Sequence, residues 1–270
     1  MENWTLTPYF RNLPLAAVWE GNFSLLSMAG MPPRQLVYLS DICRDGPRNI
    51  KGMYEFLSKD DSLFRDIYGN GYILNLQRMY KYPFVVGKTI PDGVKEVVGP
   101  IGTLTSRYHR ENLKQHVSIV AANLVDAGMD KTTAALLAVL HDVGKKYTFA
   151  TNKSGEICNY NHGELSAFIA RHWLRKLVGE ETAKVLVVTI YGHMLPHNSW
   201  NVSTHWRTGE PVDYRRDFCR LLLRFCDGDM AVSSSIMSLI DLLAACDRGV
   251  TEFTPDVMNR IARGHALICG

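Results

Sequence analysis

Histidine and aspartate residues recur at intervals through the middle and the C-terminal half of this 270-residue chain. Each lies within, or at the end of, a stretch whose apolar spacing predicts a helix. In chain order they are His116, the adjacent pair His141 and Asp142, His162, His193, Asp227 and Asp229. When the helices of a bundle carry such side chains at one level on their inward faces, imidazole nitrogens and carboxylate oxygens can share one ion. The spacing therefore predicts a metal centre.

The adjacent pair His141 and Asp142 stands at the centre of this pattern. It ends the apolar run LLAVL and is followed by Gly144, Lys145 and Lys146. A helix that is buried almost to its last turn would place an imidazole and a carboxylate side by side at the rim of the core. A lysine at that point could hold a substrate phosphate, although lysines at a helix C-terminus are also favoured by the helix dipole alone.

The elements expected to position these residues are helices. They are predicted at about 112 to 127, 131 to 141, 162 to 177, 180 to 191, 214 to 231, 235 to 246 and 254 to 268. Asp130 is suited to cap the second of them, and Gly128 is a good stop for the first. Polar loops are expected at 148 to 161 and 195 to 212. Residues 105 to 270 are therefore predicted to form one all-α domain.

The first 104 residues have a different character, because prolines, glycines and aromatic residues interrupt them repeatedly. Short helices are predicted at about 33 to 43 and 48 to 67, a strand or turn at about 71 to 76, and a connector at 83 to 103. We expect an irregular, mostly helical segment that forms a separate layer or small domain. Its sequence does not indicate a function.

Composition sets broad limits on the class of protein. Hydrophobic residues make up 46% of the chain, which is enough for a large core, and the net charge of +3 is too small to indicate nucleic-acid binding. The six cysteines include no CxxC pair. Neither a secretory leader nor an uninterrupted run of 18 apolar residues is present, so we expect a cytoplasmic protein that does not enter a membrane.

The segment HDVGKKYTFATNKSGEICNYNHGELSA, with QHVSIVA upstream and CDGDMAVSS downstream, resembles the HD phosphohydrolase superfamily. It is most similar to the HD domains attached to bacterial tRNA nucleotidyltransferases, in which HD-[IV]-GK-x-x-T precedes a glycine-bearing loop and H-x-x-x-[GS]-A. The resemblance covers about residues 105 to 235 and implies an HD-type helical bundle. Residues 1 to 104 lack the glycine-serine motif and paired aspartates of the attached nucleotidyltransferase, so nucleotidyl transfer is not expected.

The resemblance also implies a set of ligands. Four residues would bind the shared metal: His116, His141, Asp142 and a late aspartate, which is Asp229 or Asp227. Asp229 is favoured because Gly228 supplies the small residue that precedes the family's last aspartate. His162 and His193 match the histidines that, in some members of the family, hold a second metal or bind the scissile phosphate.

The implied chemistry is metal-dependent hydrolysis of a phosphate ester. The mixed nitrogen and oxygen donors suit one or two ions of Mn, Fe, Co, Ni or Mg, which would polarise a phosphoryl oxygen and activate water. Asp142 would bridge two ions, and Lys145 would hold the substrate phosphate. We expect a phosphomonoesterase or phosphodiesterase acting on a nucleotide or an RNA-end phosphate. The alternative is a non-catalytic HD module that senses a nucleotide.

Overall fold

Helices account for most of the residues that the structure describes. The structure is a computed structural model that describes residues 6–10, 13–44, 113–148, 150–151, 157–198, 203–204, 209 and 211–248. Its helices are α1 Leu15–Glu20, α2 Phe23–Met28, α3 Pro33–Arg44, α4 Leu113–Asp126, α5 Lys131–Leu140, α6 His162–Leu177, α7 Glu180–Gly192, α8 Leu195–Asn198, α9 Tyr214–Phe225 and α10 Met230–Asp247. Two 3₁₀ turns span Thr7–Phe10 and Val143–Lys146. The predicted all-α class is confirmed for this part of the chain.

Within the described residues, the strands form two short antiparallel pairs, both in the loops expected from the sequence. Strand β1, Ala150–Thr151, pairs with β2, Ile157–Cys158, so that Ala150 lies opposite Cys158. Strand β3, Ser203–Thr204, pairs with β4, Pro211–Val212. Each pair closes a loop that follows a histidine-bearing helix end.

Helix α6 forms the centre of the described core. It packs along α7, against the Val143–Lys146 turn, and against α1 and α3, while α10 packs on both α4 and α7. Its interior residues, among them Leu165, Phe168 and Leu174, are completely buried. Because α6 begins with His162, the packing of this helix fixes one corner of the candidate site.

The described N-terminal residues share this core with the later helices. The Phe10 ring makes an edge-to-face contact with Phe168 of α6, with centroids 5.5 Å apart. The Tyr191 hydroxyl of α7 donates a hydrogen bond to the Leu13 carbonyl oxygen at 2.8 Å. Residues 6–44 therefore form a layer on the bundle. The expected boundary near residue 104, and the elements expected at 48 to 67, 71 to 76, 83 to 103 and 254 to 268, lie outside the described residues.

Local signals in the sequence explain where several helices begin and end. The Asp130 carboxylate accepts the backbone N–H groups of Thr132 and Thr133, each at 3.0 Å, and so caps α5 as expected. Gly128, which follows α4, has a φ of 93°, a left-handed conformation that glycine adopts at little cost.

The predicted helix over 214 to 231 is shorter in the structure and ends at Phe225. Asp227 and Gly228 then adopt left-handed conformations, with φ of 53° and 85°, which reverse the chain before α10 begins. An aspartate followed by a glycine readily takes such a turn. The helix predicted over 214 to 231 contains both Asp227 and Asp229. In the structure the two aspartates do not share a helix.

Helix α10 combines length with an apolar composition. By those two criteria alone it could cross a membrane, yet most of the helix is buried against other helices. Its buried residues include Leu239, Ile240 and Leu243. The helix is part of the hydrophobic core, and Asp247 is its last residue.

Candidate metal centre

Six buried histidine and aspartate side chains meet where five helices come together. His116 lies on the inner face of α4, His141 and Asp142 directly follow α5, and His162 is the first residue of α6. His193 directly follows α7, and Asp247 is the last residue of α10. All six are at least nine-tenths buried. Such polar groups are costly to bury unless they bind a partner or an ion.

The ligand atoms fall into two groups that share one carboxylate. His116, His141, Asp142 and Asp247 offer atoms that all lie within 4.8 Å of one another, and Asp142, His162 and His193 form a second group under the same limit. Two donors on opposite sides of one ion, each at about 2.1 Å, are about 4 Å apart. Either group could therefore hold an ion after small adjustments of the side chains.

The distances identify Asp142 as the residue common to both groups. Its Oδ2 lies 3.4 Å from Nε2 of His116 and 3.4 Å from Nε2 of His141, and its Oδ1 lies 3.3 Å from Nε2 of His162. On the far side of the first group, Asp247 Oδ1 lies 2.8 Å from His116 Nε2. The two carboxylate oxygens of Asp142 thus face different sets of imidazoles, which is the arrangement that a bridging carboxylate requires.

Three of the imidazoles are held by the same backbone interaction. Nδ1 lies 2.8 Å from the Ala138 carbonyl oxygen in His141, 2.7 Å from the Asn159 carbonyl oxygen in His162, and 2.6 Å from the Ile190 carbonyl oxygen in His193. A carbonyl oxygen only accepts, so each Nδ1 carries the proton and donates it. In the neutral ring Nε2 is then an unprotonated donor atom for a metal, with its orientation fixed from behind.

Four inward-facing atoms of the site have no hydrogen-bond partner among the described residues. Nε2 of His141, His162 and His193, and Oδ1 of Asp142, are buried without a hydrogen-bond partner among the described residues. Buried polar atoms are normally satisfied. Four such atoms directed at one small volume, each of a type that binds divalent metals, meet the requirements of a metal site.

The Asp142 carboxyl is held in its ionised form. Burial by itself would raise its pKa, but the adjacent His141 ring, the Lys145 charge and the close His116 and His162 rings outweigh that effect and hold the pKa well below its ordinary value. Lys145 contributes directly, because its buried Nζ donates to Asp142 Oδ2 at 2.6 Å. The carboxylate is therefore available as a ligand throughout the neutral range.

The His193 imidazole is held in its neutral form. Complete burial lowers its pKa well below the ordinary value, and the neighbouring His141 and His162 lower it further, against the smaller opposing effects of Asp142 and Asp247. A neutral ring is the form that binds metal. The ring centroid of His193 lies 5.2 Å from that of His141 and 5.3 Å from that of His162.

The turn that carries Asp142 and Lys145 is docked against the start of α6. The Gly144 N–H donates to the Ser166 hydroxyl at 2.8 Å. A Cβ at position 144 would lie only 2.4 Å from the His162 carbonyl oxygen, so a side chain there would push the two segments apart. The glycine between the His141 and Asp142 pair and Lys145 is therefore needed for a close approach of backbone segments, and it fixes Asp142 relative to His162.

Five of the six metal ligands expected from the sequence come together, and the sixth is corrected. Asp229 is exposed and caps α10, its Oδ1 accepting the Val232 N–H at 2.9 Å. Asp227 is also exposed and lies in the turn before that helix. Asp229 is therefore at the opposite end of α10 from the site, and Asp247, at the last position of that helix, lies in the group with His116, His141 and Asp142.

The sequence does contain a signal for Asp247, although a weak one. LLAACD ends an apolar helical run with an acid, much as LLAVLHD ends the run that carries His141 and Asp142. The glycine and aspartates of the CDGD segment resemble the family's pattern more closely, and this resemblance favours Asp229. In the structure that segment forms a helix-reversing turn and N-cap.

Lys145, expected to hold substrate, lies beside Asp142 as described, whereas the Lys146 side chain is outside the described part of the structure. His172 fulfils a packing role: its ring lies 5.5 Å from that of Phe23 and 5.2 Å from that of Phe168.

The chain matches no protein-family model, and no curated protein and no solved structure matches it significantly.

Proposed function

We propose that this protein is a metal-dependent phosphohydrolase of the HD type that acts on a phosphomonoester or phosphodiester of a nucleotide or an RNA end. The observation that carries the proposal is the sharing of Asp142 between two groups of buried imidazole and carboxylate donors. Bridged pairs of divalent ions are a recurrent device for phosphate-ester hydrolysis. An ion held there supplies Lewis acidity and activated water.

The charge of the site supports an anionic substrate. The formal charges of the Asp142 and Asp247 carboxylates and the Lys145 ammonium sum to one net negative charge if the imidazoles are neutral, as metal ligands must be. One divalent cation converts that into a net positive charge, and a second ion increases it. A phosphate group would therefore be attracted to the loaded site and would balance its charge.

The chain's own residues have distinct roles in this proposal. Asp142 bridges the two ligand groups, and the backbone carbonyl behind each of His141, His162 and His193 keeps the ring aimed at the site. Lys145, anchored on Asp142, directs a cationic group towards a phosphoryl oxygen. The buried helix ends limit access of bulk water, which strengthens each of these electrostatic interactions.

The test begins with the metal content of the purified protein. The chain would be stripped with chelator, reloaded with Mn²⁺, Fe²⁺, Co²⁺, Ni²⁺ or Mg²⁺, and assayed with p-nitrophenyl phosphate and bis(p-nitrophenyl) phosphate. We expect turnover with at least one of these ions and a loss of at least about 100-fold for Asp142→Asn, since an essential ligand is removed. Asp41→Asn, an acid-to-amide change on α3 away from the site, is the matched control.

Absence of metal in the purified protein together with absence of turnover for every ion would overturn the proposal. A thermal shift by nucleotides without hydrolysis would favour the nucleotide-sensing module instead. Equal turnover by the Asp142→Asn variant and the wild type would show that the reaction belongs to another site or to a contaminant.

A further inference from the structure

Helix α9 presents a line of arginines to solvent. Arg216, Arg220 and Arg224 recur at every fourth position and all three are exposed, while Phe218 and Leu222 are the buried residues of the same helix. At about 100° per residue, the arginines lie roughly opposite the buried side. Residues four apart rise by about 6 Å along the axis, so the three side chains form one row, here called the arginine stripe.

Helix α9 carries more arginines than acidic residues within its own length. The helix carries four arginines and one aspartate, a net +3 that equals the formal net charge of the entire protein. Arg215 is paired with Asp241 at 2.7 Å. Asp217 approaches Arg216 at 3.7 Å and Arg220 at 3.8 Å, which are long, exposed contacts of little strength. Aspartates adjoin both ends of the helix, among them the N-cap Asp213, but on its exposed face three arginines lie beside the single acid Asp217.

The orientation of α9 relates this surface to the candidate metal centre. Phe218 stacks on Tyr191 near the C-terminal end of α7, with ring centroids 6.3 Å apart and an interplanar angle of 11°. Phe225, at the other end of α9, lies 4.9 Å from Lys184 Nζ in the first half of α7. The two helices are thus antiparallel, and the beginning of α9 lies at the end of α7 that His193 follows.

We propose that the arginine stripe binds the phosphodiester backbone of a single-stranded nucleic acid whose terminal phosphate reaches the metal centre. Arg216 lies towards the His193 end, and Arg220 and Arg224 continue the row away from it. Proteins that bind single strands without sequence preference use such rows of positive charge along the backbone. The inference deepens the proposed function, on which it rests, by naming an oligonucleotide end rather than a free nucleotide as the substrate class.

The experiment measures binding separately from turnover. Fluorescence anisotropy of a labelled single-stranded RNA oligonucleotide would be recorded with the full-length, Mn²⁺-loaded protein over a series of KCl concentrations. The triple variant Arg216→Gln, Arg220→Gln and Arg224→Gln would be compared with a control of equal charge change, Arg34→Gln, Arg44→Gln and Lys176→Gln, whose exposed residues lie on α3 and α6. Far-UV circular dichroism would verify that both variants fold.

Each phosphate contact in a single strand contributes about 0.7 to the slope of log K against log salt. We therefore expect the stripe variant to lose about 2 units of slope and at least tenfold in affinity at low salt, and the control variant to lose much less. No RNA binding by the wild type, equal losses in both variants, or competition by polyglutamate as effective as by RNA would each overturn the inference. Failure of the proposed function would be recognised separately, because the wild-type protein would then contain no metal and would not hydrolyse the aryl phosphates.

Discussion

Replacing Asp247 with asparagine gives the sharpest test of the metal centre. The side chain keeps nearly its size, but the buried carboxylate, whose Oδ1 lies 2.8 Å from His116 Nε2, becomes a neutral amide. Of the two carboxylates in the first ligand group, only Asp142 then remains. We expect the affinity for Mn²⁺ to fall sharply while the helices persist.

The magnitude follows from the place of Asp247 among the ligands. Loss of a residue that merely orients a ligand costs about 10- to 100-fold in metal affinity. Loss of one of four direct donors should cost at least the upper figure, which corresponds to about 2.8 kcal/mol. At a Mn²⁺ concentration 100 times the wild-type Kd, the stabilisation by metal should fall from about 2.7 to about 0.4 kcal/mol.

Isothermal titration with Mn²⁺ and thermal unfolding with and without Mn²⁺ provide the two measurements. Asp229→Asn is the matched control, because it makes the same chemical change at the position that the sequence favoured. Asparagine caps a helix about as well as aspartate, and Asp229 uses its carboxylate to accept the Val232 N–H. The control should therefore keep both its stability and its metal affinity.

The reverse pattern would refute this assignment. If Asp229→Asn abolished Mn²⁺ binding and Asp247→Asn left it intact, the last ligand would be the one expected from the sequence. Equal, wild-type affinities in both variants would mean that neither aspartate binds metal. Loss of helical structure in Asp247→Asn alone would call for the more conservative Asp247→Glu, whose affinity should also fall.

Three further predictions follow from the structure. Gly144→Ala should destabilise the protein by about 1–3 kcal/mol in urea unfolding, because the new Cβ would lie 2.4 Å from the His162 carbonyl oxygen. His172→Gln should reduce the loss of stability between pH 6.5 and 4, to which the buried His193 also contributes. Burial first, and then neighbouring cations, lower the folded-state pKa of His172 to about 4. Between pH 6.5 and 4 the unfolded state therefore binds a proton that the folded state does not, so acidification lowers the free energy of unfolding. His193→Ala should lower the number of Mn²⁺ ions bound per chain in elemental analysis, since the second group loses one of its three candidate donors.

Each of these has a clear contrary result. An unchanged urea midpoint for Gly144→Ala would show that the turn and α6 can separate freely. An identical pH profile of stability for wild type and His172→Gln would contradict the neutral, buried state of that imidazole. The wild-type number of ions per chain in His193→Ala would remove this residue from the ligands. Asp142 does not obscure the His172 measurement, because its own contribution is lost only below about pH 4.

The sequence by itself determined helices α4 to α7 and five of the six residues that meet in the candidate metal centre. Periodicity and end signals such as Asp130 and Gly128 are local, since a cap or a left-handed turn depends on a few neighbouring residues. For that reason α4 to α7 were predicted closely. The histidines at helix ends were identified for a related reason: a polar donor that interrupts an apolar run must lie at the edge of the core.

Only the tertiary structure decided which aspartate completes the first group. Asp227, Asp229 and Asp247 are all plausible donors by residue type, and their separation along the chain says nothing about which one approaches His116. That depends on the reversal at Asp227 and Gly228, which separates α9 from α10, and on the packing of α10 against α4 and α7. The contact of α10 with α4 joins residues more than 100 positions apart, and the packing places the C-terminal end of α10, not its beginning, at the site.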